Sequence, residues 1–299
     1  MKKNYYEILF KSITFLGLFF FTIGCAIDKN STSTTEKLPY HQQMKFDSIF
    51  YDAIREKILG NYEKAESQFL RALKINSENA ASLYELANIY AFEKQNVKAQ
   101  EYAKLAAKID PKNEWYQQFY ADCLKQNRQP EEVAKVYEQL VKDHPEKIEF
   151  YQELAGIYIY QNKAREALNV YDKMTKNFGI SEETSLQKIN IYKLQHEPDK
   201  AIDEIQKLIV TFPKVAKYYG MLGELYQAMG MDEKALEAYN QLLVQDPKNA
   251  YVHLSLADYY RSHNQKDKAS DEIKVAFKNK DLDIDTEIKI LLSFYNITE

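Results

Sequence analysis

The chain repeats itself every 34 residues, and a period of that size builds a stack of similar units rather than one closed globule. Ala65, Ala99, Val133, Ala167, Ala201, Ala235 and Ala269 share one column. Twelve residues upstream the same step yields Ala53, Ala87, Ala121, Ala155, Ile189, Gly223 and Ala257. Nine upstream it gives Tyr90, Tyr158, Tyr192, Tyr226 and Tyr260, with Glu56 and Leu124 as exceptions. Four residues beyond the first column stand Phe69, Ala103, Tyr137, Tyr171, Ile205, Tyr239 and Ile273.

Each column has a steric reason. Small residues recur where the two helices of one unit cross most closely, and a larger side chain there would overpack the contact by about 1–3 kcal/mol. The aromatic columns fall where they fill the space between neighbouring units. Between the helices sit Gly60, Asn61, Asn96, Asn127, Asn162, Gly230 and Asn264, residue types that tolerate the left-handed conformation ending a helix. Pro130 and Pro198 fall in the first turn of the following helix, where a missing N–H costs nothing. Asp110-Pro111, His144-Pro145, Phe212-Pro213 and Asp246-Pro247 then close the second helix, because the residue before proline avoids helical geometry. With only 8 Gly and 7 Pro in 299 residues the rest reads as uninterrupted helix, so the fold class is all-α. The fifth unit fits worst. Lys188 occupies a column filled mostly by leucine or tyrosine, which predicts a local weakening or a bend.

The amino terminus reads as an address. Residues 1–11 carry Lys2, Lys3 and Lys11, and residues 12–24 are an apolar run of 13, short of the roughly 20 needed to span a bilayer. Gly24-Cys25 at its end resembles the lipobox of bacterial lipoproteins, with Thr22 where leucine is usual. That resemblance implies a signal peptide over 1–24 and acylation of Cys25; an ordinary secretory signal or an uncleaved anchor is the alternative. Ala26 after the cysteine implies, by the same analogy, an outer-membrane destination facing the periplasm. Residues 25–45 are Ser/Thr-rich and unpatterned, a flexible tether reaching on the order of 25 Å. At the other end, residues 284–299 place Ile288, Leu291, Leu292 and Tyr295 on one helical stripe. This predicts one more helix, either a docking cap or the start of a further unit.

Reactive chemistry is sparse. His41, His144, His196, His253 and His263 lie in the tether, in turns or one per unit, with no metal-ligand spacing. Glu131-Glu132 and Glu182-Glu183 sit at helix starts, where acidic groups favour the dipole. Cys123 reads as a small packed hydrophobe. The expectation is a non-enzyme with no cofactor and no metal. The net charge of -4 becomes -6 once residues 1–24 are removed, which disfavours nucleic acid as a partner.

The columns resemble the tetratricopeptide repeat (TPR) pattern, and with the Cys25 context and the stretch Ser255-Leu256-Ala257-Asp258-Tyr259-Tyr260 the chain is similar to TPR lipoproteins of Bacteroidota. The resemblance implies a right-handed TPR solenoid of seven helix-turn-helix repeats, 46–79, 80–113, 114–147, 148–181, 182–215, 216–249 and 250–283, plus a terminal helix. It also implies a concave groove lined by first-helix positions 2, 5, 9, 12 and 13. Carried over, those are Phe50, Ile54 and Ile58; Tyr84, Asn88 and Phe92; Trp115, Gln118 and Asp122; Gln152, Ile159 and Tyr160; then Leu186, Asn190 and Leu194. Later repeats add Glu224, Gln227, Tyr251, Asp258 and Arg261. The first half is apolar and aromatic, as interaction sites often are, unless these side chains simply pack against neighbouring helices. The carboxylate clamp of chaperone-binding TPRs is missing: Asn190 is present, but Leu186, Met221, Tyr251 and Ser255 fill its partner positions. Three readings follow: a lipid-anchored scaffold for a protein or extended peptide, a structural spacer of a longer array, and an enzyme or glycan binder for which no constellation is assembled.

Overall fold

A computed structural model describes residues 38–278 and residue 288. Among the described residues there are fourteen α-helices and no strand. They are α1 (Tyr40–Ile58), α2 (Tyr62–Leu73), α3 (Ala80–Phe92), α4 (Asn96–Ile109), α5 (Glu114–Gln126), α6 (Pro130–Asp143) and α7 (Ile148–Tyr160). The second half holds α8 (Ala164–Phe178), α9 (Glu182–Leu194), α10 (Pro198–Thr211), α11 (Ala216–Ala228), α12 (Asp232–Gln245), α13 (Ala250–Ser262) and α14 (Lys266–Ala276). From α3 onward the odd helices begin at 80, 114, 148, 182, 216 and 250, and from α2 the even ones at 62, 96, 130, 164, 198, 232 and 266, steps of 34 without exception. Each helix packs on the next in sequence, which is the arrangement of an all-α solenoid. No described helix is long and apolar enough to cross a membrane.

The tether is shorter than its composition suggests. Helix α1 starts at Tyr40, behind Pro39, because Phe46 is buried and stacks on Phe50 at 5.7 Å, so an apolar face already runs through the stretch read as linker. His41 therefore belongs to a helix. The segment 1–24, Cys25 and the 284–299 helix, apart from the single residue Ile288, lie outside the described residues.

The seven turns within hairpins are one device repeated. Gly60, Lys94, Arg128, Asn162, His196, Gly230 and Asn264 all take positive φ, again 34 residues apart. The next residue's N–H reaches back to a carbonyl five residues earlier, as in Gln95 to Tyr90 (2.8 Å), Gln129 to Leu124 (3.0 Å) and Glu197 to Tyr192 (2.9 Å). This is the Schellman closure, which satisfies carbonyls the helix end leaves open. It corrects three of the expected turn residues, the first being Asn61, which follows the left-handed Gly60 and keeps φ at -85°. Asn96 opens α4, and Asn127 keeps φ at -89° while Arg128 turns left-handed. The Asn127 amide is engaged elsewhere, donating to the Asn96 carbonyl at 3.0 Å and to Gln100 at 2.6 Å in the preceding repeat. Side chains of Asn79, Asn113, Ser181 and Asn249 cap first helices, each contributing about 1 kcal/mol.

The core is built from the paired columns. Ala53 and Phe69, Ala121 and Tyr137, Ala155 and Tyr171, and Ile189 and Ile205 are buried together, a small residue against a large one or two of middle size. Gly223 is the extreme case, since a Cβ there would overlap the Tyr239 ring. Tyr239 is fully buried and donates to Gln227 at 2.9 Å, and burial pushes its phenol up to about 12.

Lys188 is a correction of another kind. It is only 3% exposed, and its ammonium lies 2.8 Å from Asp172 and 2.9 Å from Glu204. Glu204, equally buried, also accepts from Ser185 at 2.9 Å and Lys207 at 3.0 Å. The odd residue of the fifth repeat is thus one corner of a satisfied ion network tying α8, α9 and α10 together. His253, one of the histidines that the sequence scatters without metal-ligand spacing, also joins an internal network. It is buried, with Nδ1 2.6 Å from Glu272 and Nε2 3.1 Å from the Pro247 carbonyl. Ser185–Glu204 and His253–Glu272 occupy equivalent places two repeats apart.

Candidate functional site

The residues assigned to a groove from sequence separate into two groups. Phe50, Ile54, Tyr84, Asn88, Gln118 and Leu186 are half-buried. Phe50 meets Phe69 edge-on at 5.7 Å, Tyr84 lies 5.1 Å from both Tyr116 and Phe119, and Asn88 donates to the Tyr84 carbonyl at 2.9 Å. Phe50 thus closes its own hairpin, Tyr84 joins repeat two to repeat three, and Asn88 bonds within its own helix, so these side chains are engaged in internal packing. Ile58, Phe92, Trp115, Asp122, Gln152, Ile159, Tyr160 and Asn190 are exposed. A single helix face covers both groups; the neighbouring repeat decides which part of it is covered.

Four exposed residues align. Ile58 (78% exposed), Phe92 (66%), Tyr160 (78%) and Leu194 (82%) each end a first helix, immediately before the hairpin turn. They share one 34-residue register, interrupted at Gln126 and ending in the exposed Ala228 and Ser262. Phe92 is braced by Tyr62 at 4.5 Å, so the ridge is partly held in place from below. A row of large apolar side chains in water is the kind of surface that marks an interaction site.

A cleft of about 360 Å³ opens at the interruption. Lys125, Arg128, Pro130 and Val133 of repeat three form one side, and Gln152, Glu153, Gly156, Ile157 and Tyr160 of α7 form the other. Lys125 lies 2.8 Å from Glu153 and 3.4 Å from Asp122. Burial alone would lower its ammonium, but Glu153, Tyr137 and Asp122 hold it above the ordinary lysine range. Gly156 stands in the middle of α7, where glycine costs about 0.5–1 kcal/mol relative to alanine. Sequence reasoning missed Gly156, Lys125 and Arg128. The signal was present for the first, because glycine is scarce in this chain and position 9 of the other repeats always carries a side chain.

Other reactive groups are packed away. Among the described residues no cluster of His, Cys, Asp and Glu could hold a metal. Cys123 is buried, and burial, with Asp122 adding, pushes its thiol up to about 11, which opposes nucleophilic use. Tyr90 donates to Glu66 at 2.6 Å, and burial followed by that carboxylate raises its phenol well above the usual range.

Tetratricopeptide repeat models match residues 59–114 and residues 216–249. No curated protein matches the chain in sequence. Among solved structures, a chain of the Naa15/Naa10 complex bound to HypK-THB superposes with TM-score 0.57 at 18% identity, over 81% of this chain and 38% of that one. The C-terminal part of a TPR repeat-containing protein from Cytophaga hutchinsonii gives TM-score 0.51 at 16% identity, over 79% and 97% of the two chains. The chain therefore carries tetratricopeptide repeats and folds as an all-α TPR solenoid.

Proposed function

We propose that the chain is a lipid-anchored scaffold of the bacterial cell envelope that holds an extended segment of a partner protein along the first-helix face of repeats one to five. The observation that carries this reading is the ridge of Ile58, Phe92, Tyr160 and Leu194, large apolar groups left in water at one register. Burying such a row against a partner removes apolar area from water and supplies aromatic anchors of the kind that dominate interfaces. The anchor is supported by Gly24-Cys25 behind a short apolar run, and the outer-membrane, periplasm-facing placement by Ala26.

Crosslinking in native membranes tests the scaffold. Phe92→Asp with Tyr160→Asp is expected to lose a stoichiometric partner that wild type retains; a pattern of adducts unchanged by both substitutions refutes the groove. Cys25→Ser is expected to abolish acyl labelling and release the protein from membranes, and persistent labelling refutes the anchor. The spacer reading draws on the half-buried residues, since Tyr84 and Phe50 are spent on packing between helices. It predicts that no partner depends on the ridge.

A further inference from the structure

We infer that the cleft at Gly156 is an anchor pocket for a partner segment in which a bulky apolar side chain neighbours a carboxylate. This rests on the scaffold reading above and names the chemistry it recognises. Nothing inside the molecule requires Gly156 to be small, because a Cβ built there meets no atom within 4 Å. The other glycines inside a described helix behave differently: at Gly220 the Cδ1 of Leu242 lies 3.2 Å away, and at Gly223 Tyr239 blocks the space. Their absence of a side chain serves internal packing. Gly156 instead leaves a hole open to solvent, beside the apolar Pro130, Val133 and Ile157. At about 360 Å³ the cleft is at the lower end of ligand-site volumes, suited to a large side chain and its neighbour.

The charges around the hole select what accompanies that side chain. Lys125 is offset by Glu153 and Asp122. The Arg128 side chain makes no ion pair or hydrogen bond among the described residues, so its five guanidinium donors are the unpaired ones lining this cleft. It is carried on left-handed backbone, φ +56°, at a turn position filled by Gly60, Asn162, Gly230 and Asn264, which suit that conformation better, and by Lys94 and His196, which do not. A planar five-donor cation beside an apolar hole complements a carboxylate next to an apolar group. Tyr160 stands at the mouth and joins the pocket to the ridge, so the partner chain continues past it on either side.

The test uses the full chain labelled with [15N]glycine, whose 8 glycines give a simple spectrum. Gly156→Ala identifies the resonance that matters. N-acetyl-Phe-Asp-amide is expected to shift that resonance saturably in the millimolar range, N-acetyl-Ala-Asp-amide not at all, and N-acetyl-Phe-Lys-amide at least tenfold more weakly. Broadening of the fragment's own signals extends the comparison to variants. Arg128→Gln removes the preference for aspartate over lysine, and Gly156→Leu abolishes binding while its helical circular dichroism is kept and its thermal midpoint rises by about 2 °C. An unmoved Gly156 resonance at saturation, or wild-type binding by Gly156→Leu, overturns the inference. If a native partner depends on Phe92 and Tyr160 but is retained by Gly156→Leu, the scaffold stands and the pocket falls. Fragment binding abolished by Gly156→Leu with no ridge-dependent partner leaves the pocket and removes the scaffold.

Discussion

In the fourth hairpin, α7 and α8, Leu154 and Val170 occupy the register positions that Lys188 and Glu204 take in the fifth, α9 and α10. One 34-residue frame thus carries an apolar pair in one repeat and a buried ion pair in the next, with the same helix lengths of 13 in the first helices and the same turn closure. The frame depends on features common to both units: the left-handed turn residue, the backbone bond that closes it, and a complementary pair at the crossing. Core polarity is free to change provided both partners change together. Two of the three helical glycines make a parallel contrast, Gly223 filled from within by Tyr239 and Gly156 left vacant.

Removing one charge breaks the comparison most severely. Lys188→Ala takes from the buried Glu204 its most enclosed cation, leaving Lys207 and Ser185, and is expected to cost about 3 kcal/mol, the lower end for a broken buried pair, read by denaturant unfolding. Importing the repeat-four pair, Lys188→Leu with Glu204→Val, should recover that loss and end within about 1 kcal/mol of wild type or above it. A double variant no better than Lys188→Ala alone would mean the network fixes the fold of this repeat.

A pH series sharpens the same contrast. Burial would raise the Glu204 carboxyl, but Lys188, Lys207 and Ser185 hold it below the ordinary range, so its contribution is present above that range and lost as pH falls through the lowered value. Burial would lower Lys188, but Asp172 and Glu204 hold it above the ordinary range, so its contribution is present below that range and lost as pH rises past it. Wild type should therefore lose stability at both extremes relative to the Leu/Val double variant, and parallel curves would refute the coupling. Next in size is Gly223→Ala, which forces Tyr239 aside and should cost about 1–3 kcal/mol in thermal unfolding, whereas Gly156→Ala should stabilise by about 0.5–1 kcal/mol. Arg128→Gly relieves a left-handed arginine and is expected to add about 1 kcal/mol, a gain that Arg128→Lys would not reproduce.

The repeat itself was legible because its steric demands appear directly as residue type: alanine where helices cross, tyrosine or phenylalanine where a gap must be filled. Turns were legible only to within a residue or two, since the Schellman bond tolerates Lys94 and Arg128 where composition pointed to the nearby Asn96 and Asn127, and His196 where composition pointed to no residue. Lys188 looked like a defect because Glu204 and Asp172, which make it stable, sit 16 residues away on either side and meet it only after the helices pack. The same limit applies to the groove. Tyr84 and Tyr160 are both aromatic residues on a first helix, yet one is covered by Tyr116 and Phe119 of the next repeat and the other projects into water.

The location of the binding face is the claim most worth a direct measurement. A photo-crosslinking phenylalanine analogue at position 160 or at position 244 would be equally accessible, since Tyr160 and Val244 are each 78% exposed, but the first lies on a first helix and the second on a second helix. Irradiation of the full chain in the cells that produce it should give a discrete adduct from position 160 and none from position 244. Equal adducts from both, or one from position 244 alone, would contradict the account.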